Sequence, residues 1–136
     1  MRVVLDANIL IAAYAARGLC EAVLEYCITT DDIFLTGEIL ADVKDKLIKK
    51  IKLPHSDADK IIQFLRDYTT LVEANQVPKS ICRDPDDVNI LGAAHTANAD
   101  YIITGDDDLL VFKKFGSTKI VKPRTYWEEQ TKSKES

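Results

Sequence analysis

The chain places aspartates where short apolar runs stop. Residues 3–5 lead into Asp6, and residues 101–104 lead through Gly105 into Asp106, Asp107 and Asp108. Between them come Glu38 and Asp42, four positions apart, and the stretch "RDPDDVN" with Asp84, Asp86 and Asp87. A lone Asp after a strand is ordinarily a turn residue or a helix cap. Several carboxylates gathered in one place repel unless they are protonated or a cation neutralises them. The hard cations Mg²⁺ and Mn²⁺ prefer such oxygen ligands. A cation held this way can align a phosphate for in-line attack. If the acids converge, the chemistry is metal-dependent cleavage of a phosphate ester. The competing expectation is that Asp86, Asp87, Asp107 and Asp108 only cap helices and the acids stay apart.

Convergence depends on the elements that carry the acids. Residues 2–5 read as a first strand, 9–16 and 19–28 as helical stretches, and 33–35 as a second short strand. Helical periodicity runs over 38–51, with Ile39, Leu40, Val43, Leu47, Ile48 and Ile51 on one arc. Pro54 interrupts it. Ser56 and Asp59 suggest a capped helix with Ile61, Ile62, Leu65 and Tyr68 inward. Residues 71–73 read as a strand, 74–83 as a loop, 87–98 as a helix and 101–104 as a strand. A short helix over 106–112, a strand over 119–121 and a turn over 126–130 complete the pattern. Strands separated by helices predict an α/β domain with a mainly parallel sheet. Ligands of such sheets bind beyond the carboxyl ends of the strands. Asp6 and Asp106 should therefore share one edge.

The totals fit one domain. At 136 residues, with 46% hydrophobic and 29% charged residues, no disulfide or structural metal is needed to hold a core. Cys20, Cys27 and Cys82 match no zinc or redox spacing and read as reduced, packed thiols. No apolar run approaches the ~20 residues of a membrane-spanning helix. The N-terminus reads as a strand rather than a secretory signal. A cytoplasmic location without membrane attachment is the expectation. The net charge of −4 argues against nucleic-acid binding by bulk electrostatics, but a bound cation would change the local sign.

The pattern "VVLDANILIAA…TGEILADVKDKL…RDPDDVNILGAAHTANADYIITGDDDLL" resembles the PIN-domain proteins, and among them the toxin components of toxin–antitoxin systems. The resemblance runs to about Tyr126. It implies a three-layer α/β/α sandwich over residues 1–128; the polar tail, 129–136, is expected to fray. It also implies a metal-dependent endoribonuclease using Mg²⁺ or Mn²⁺, often a homodimer, with RNA as substrate and an antitoxin protein as partner where the role is that of a toxin. By position, Asp6 matches the first metal-binding acid, Asp87 the third and Asp106 the fourth. Asp42 aligns with the second, as an Asp where Glu is usual. Glu38 is its competitor, being the usual residue type and nearer the strand end. Asp84 matches an acidic position of the subgroup, and Asp108 is a further candidate ligand. Asn8 and Thr36 match polar positions that support the acids, and Thr104 is placed to do the same. Water would attack phosphorus, leaving a 5′-phosphate and a 3′-hydroxyl, with no protein nucleophile.

RNA also needs positive contacts. Arg17 and Arg83 are candidates by their proximity to the motifs, and Lys49 represents the run Lys46, Lys49, Lys50 and Lys52. Lys113 and Lys114 follow the last acidic motif. His55 and His95 read as structural or surface residues. Two other functions compete. A Mg²⁺-dependent phosphatase with a strand-end aspartate commonly carries DxD after its first strand, and here Asn8 stands at the second position. A PIN-like module that binds RNA or protein without catalysis would be favoured by a missing acid, but all four acidic positions can be filled.

Overall fold

Val3, Val4 and Leu5 have no measurable exposure, so the first strand, β1 (Arg2–Leu5), is covered on both faces. Tyr101, Ile102 and Ile103 of the neighbouring β4 (Tyr101–Ile103) are buried in the same way. Apolar runs without alternation are what a parallel sheet between two helical layers requires. The structure is a computed structural model that describes residues 1–77, 81 and 84–135, with side chains as far as 132.

After β1 come α1 (Ala7–Ala15) and α2 (Leu19–Thr30), then β2 (Asp32–Leu35), α3 (Gly37–Lys49), α4 (His55–Tyr68) and β3 (Thr70–Leu71). The chain then passes through α5 (Pro85–Ala97) into β4, followed by α6 (Asp107–Leu110), β5 (Lys114–Phe115), β6 (Thr118–Val121) and α7 (Pro123–Glu135). The six strands lie in the order β3-β2-β1-β4-β6-β5. All neighbours are parallel except β5 and β6. The sheet grows from β1 through β2 to β3 on one side, then resumes with β4 on the other. The order therefore reverses between β1 and β4, and a crevice opens beyond their carboxyl ends. Leu5 pairs with Ile103, which puts the ends of the two strands level. The expected α/β architecture with a mainly parallel central sheet is the one observed.

Two helices, α3 and α5, carry the acids that do not stand at strand ends. In α3 the buried residues Ile39, Leu40, Val43 and Leu47 form one stripe, and Thr36 caps the helix by accepting from Ile39 N (3.1 Å). In α5, Ile90, Leu91, Gly92, Ala93, Ala94 and Ala97 are all buried. Asn98, in the left-handed conformation, ends that helix. Gly92 is required by close approach: a β-carbon there would sit 2.3 Å from Asn75 O.

Several local expectations change. Ser56 lies inside α4 rather than capping it; Pro54 holds the cap position, with no side-chain cap bond. Asp59 instead pairs with Lys44 (2.8 Å). Leu65 is buried, but Tyr68 is 58% exposed and stacks on Phe64 at the surface. The hairpin strand β5 adds an antiparallel edge that its two residues could not announce. In place of a turn over 126–130 there is the helix α7. Tyr126 anchors it: the ring is fully buried and lies edge-on to Tyr26 and Tyr101. Its hydroxyl donates to Asp31 Oδ2 and accepts from the thiol of Cys27. Cys20 and Cys27 are free thiols; Cys82 lies outside the described residues. Among the described residues no single helix is long and apolar enough to cross a membrane.

Candidate active site

Asp6 is positioned by backbone first. Its N–H donates to Ile103 O (3.1 Å), extending the β1–β4 pairing by one residue. It stands at the N-cap position of α1 but makes no side-chain capping bond there. Instead its Oδ2 accepts a hydrogen bond from Thr104 Oγ1 (2.7 Å). Thr104, itself fully buried, accepts in turn from Asp106 N–H (3.0 Å). One hydroxyl thus orients the carboxylate after β1 and the backbone that presents the acid after β4. Burial pushes the Asp6 carboxyl above its ordinary value. The Thr104 hydroxyl and the nearby amides of Asn8 and Ala7 work against that rise, and the charge of Asp106 adds to it.

The caps are other residues than the ones the motifs suggest. Asp84 accepts from Asp86 N (2.9 Å) at the head of α5, and Asp106 Oδ1 accepts from Asp108 N (2.9 Å) at the head of α6. Neither Asp86 and Asp87 nor Asp107 and Asp108 hold the cap positions. Asp87 lies in the first turn of α5 and is only 3% exposed. There the positive end of the helix favours its charge. One carboxylate oxygen from each of Asp87, Asp106 and Asp108 falls within 4.8 Å of the others. Three oxygens at that spacing can share one cation. An all-carboxylate donor set suits Mg²⁺ or Mn²⁺ rather than the softer metals.

Beside this group a narrow cleft of about 30 Å³ is lined by Asp6, Glu38, Asp42, Asp86 and Asn89, over Ala7, Ile39 and Ile90. That volume has room for roughly two water-sized groups. Both candidates for the second acid face it. Asp42 accepts from Lys46 Nζ (3.2 Å), one turn further along α3. Glu38 accepts from Asn89 Nδ2 (3.1 Å), across on α5. The backbone N–H of Glu38 and the Asn89 amide hold its carboxyl below the ordinary range.

The supporting residues divide by geometry. Thr104 bonds directly to Asp6. Thr36 donates to Asn89 Oδ1 (2.7 Å) rather than to a carboxylate, while capping α3. Asn8 is exposed and contributes its backbone amide near Asp6. Asn89 is the residue that sequence reasoning missed. It is a half-buried amide between Val88 and the apolar run Ile90, Leu91, and nothing local in the sequence marks it as a partner of α3.

The basic candidates sit apart. Lys49 pairs with Asp45 (2.8 Å) on the solvent face of α3, an arrangement worth little energetically. Arg17 is exposed beyond the far end of α1, about 13 Å of helix away from Asp6. Arg83 lies outside the described residues. Neither histidine lines the cleft.

A family model described as PIN domain matches residues 2–108. The fold is similar to VapBC-1 from nontypeable Haemophilus influenzae, with a TM-score of 0.63 at 15% identity over 91% of this chain and 99% of that one. It is also similar to VapBC2 from Rickettsia felis, solved bound to a DNA fragment from their promoter. There the TM-score is 0.62 at 15% identity, over 88% of this chain and 97% of that one. No curated protein sequence matches the chain.

Proposed function

The chain belongs to the PIN-domain family, and from that premise we propose that it is an endoribonuclease dependent on Mg²⁺ or Mn²⁺. The observation that carries this reading is the approach of Asp87, Asp106 and Asp108 to within 4.8 Å at the reversal point of the sheet. Asp6 is tied to the same group through Thr104. Asp87, Asp106 and Asp108 would hold the cation, with Asp6 beside them and Asp42 or Glu38 contributing from the cleft that Asp6 also lines. A cation bound there would supply Lewis acidity, lowering the pKa of water and countering charge on the phosphate. Thr104 keeps Asp6 in one orientation. Ala7, Ile39 and Ile90 line the cleft beside Asp6, which is buried, and reduced solvation there would strengthen the pull of that carboxylate on a cation. Hydrolysis joins a water oxygen to phosphorus and breaks the bond to O3′, leaving a 5′-phosphate and a 3′-hydroxyl.

The sequence resembles toxin components, and the similar folds include two VapBC proteins. Together these support a role as the toxin of a toxin–antitoxin pair, with an antitoxin protein as partner; a homodimeric state and a cytoplasmic location belong to the same proposal. The experiment is cleavage of a mixed single-stranded RNA and of a small phosphomonoester, each with Mn²⁺ or with chelator, by wild type, Asp6→Asn and Asp106→Asn. Metal-dependent RNA cleavage that both variants lose supports the nuclease. Turnover of the small ester alone would make it a phosphatase. No turnover of either would make it a binding module.

A further inference from the structure

Asn89 is a side-chain amide used at both ends. Its Oδ1 accepts from the buried Thr36 hydroxyl (2.7 Å) at the junction of β2 and α3. Its Nδ2 donates to Glu38 Oε2 (3.1 Å) in the first turn of α3. Because the Glu38 carboxylate only accepts, the amide is set with Nδ2 toward Glu38 and Oδ1 toward the Thr36 hydroxyl; a flip would bring two acceptor oxygens together at Glu38. Thr36 is itself held, since its oxygen accepts from Ile39 N. The chain Ile39 N–H, Thr36, Asn89, Glu38 therefore runs from a helix cap to a cleft-lining carboxylate. Asn89 stands two residues after Asp87 on α5 and lines the cleft. It joins the helix that carries Asp87 to the helix that carries both second-acid candidates. Asp42, by contrast, has Lys46 as its partner on its own helix.

We propose that Asn89 is a positioning residue that acts through Glu38, aiming that carboxylate into the cleft so that it takes part in holding the divalent cation, directly or through water. This rests on the nuclease reading for its purpose, but not for its test. Removing a residue that orients a ligand commonly costs 10- to 100-fold in metal affinity. Asn89→Asp is a second variant: it can still accept from Thr36 but cannot donate to Glu38, and it sets a further carboxylate against Glu38.

The test is calorimetric titration of Mn²⁺ into wild type, Asn89→Ala, Asn89→Asp, Glu38→Gln and the Asn89→Ala/Glu38→Gln double variant, with the melting temperature of each. Expected is a loss of about ten-fold in affinity for Asn89→Ala. The double variant should bind no more weakly than Glu38→Gln alone. Asn89→Asp should melt below wild type without metal, because two carboxylates then face each other. Equal losses from Asn89→Ala in both backgrounds, wild-type affinity in Asn89→Ala, or a metal-free Asn89→Asp that melts like wild type would overturn the proposal. If wild type binds Mn²⁺ but cleaves no RNA, the nuclease reading fails and the Asn89 coupling still stands or falls on these affinities. If wild type binds no Mn²⁺, both fail.

Discussion

Thr104 Oγ1 donates to Asp6 Oδ2 at 2.7 Å, across two neighbouring parallel strands and 98 residues of chain. The same oxygen accepts from Asp106 N–H. Thr104→Val keeps the shape and removes both functions. It leaves a buried carboxylate without its hydroxyl donor and the Asp106 amide without its acceptor. The expected cost is about 1–3 kcal/mol of stability, with RNA cleavage falling further than stability does. Thr104→Ser should retain both. Chemical denaturation and initial cleavage rates on the three proteins check this.

Asp6→Asn should separate stability from function. Burial raises the folded carboxyl above its ordinary value of 3.8, so the ionised form burdens the metal-free fold. Its contribution is fully favourable below that ordinary value and is lost as the pH rises through the folded one. The Asn variant has no such loss and still accepts from Thr104. In chelator it should be more stable than wild type at neutral pH, by about 0.5–2 kcal/mol, and the gap should close on acidification toward pH 4. Melting curves from pH 4 to 8 measure it. A variant less stable than wild type at pH 7 would contradict this account of the buried acid.

Metal should stabilise the wild type. A cation at 100 times its dissociation constant adds about 2.7 kcal/mol if it binds only the folded state. Asp106→Asn is the instructive control, because Asn caps a helix as well as Asp does. The cap of α6 should survive while the Mn²⁺-induced rise in melting temperature disappears. A rise equal to that of wild type would place the cation elsewhere.

Alkaline pH should unfold the protein through groups far from the cleft. Burial pushes the Cys27 thiol up to about 12, with the charge of Asp31 adding to it. Burial and Glu129 push the Tyr101 phenol up to about 12. Burial and Asp31 move the Tyr126 phenol upward as well. In the unfolded chain these groups ionise at ordinary values of 9.0 and 10.0. The stability they contribute is full below pH 9 and is lost as the pH climbs toward 12. Tyr126→Phe removes the hydroxyl that serves both Asp31 and Cys27, so it should lower stability at pH 7 and make the alkaline decline shallower. Denaturation midpoints from pH 7 to 11 test both statements.

The sequence was most legible where burial is symmetric. β1 and β4 are covered on both faces, so their apolar runs and terminal acids stood out, and with them the shared edge of Asp6 and Asp106. The stripe of α3 was legible from its period. Capping was not, because it depends on the dihedral angles of one residue: Asp84 and Asp106 take the caps, although Asp86, Asp87, Asp107 and Asp108 looked equally suited. Tyr68 follows Leu65 by a helical step that should turn it inward, but it meets Phe64 at the surface. The helix α7 has a polar sequence and is held by Tyr126, whose partners Cys27 and Asp31 lie about a hundred residues earlier. Asn89 matters through two bonds to α3 and its cap, which no local pattern displays.

The ends of the RNA products test the central claim most directly. Purified protein is incubated with a single-stranded RNA in Mn²⁺ or in chelator, and the fragments are analysed for terminal phosphates. Fragments with 5′-phosphate and 3′-hydroxyl ends, formed only with the metal, are the predicted result. Cyclic 2′,3′-phosphate ends, or cleavage that persists in chelator, would mean that the carboxylates do not act through a cation and would contradict the account.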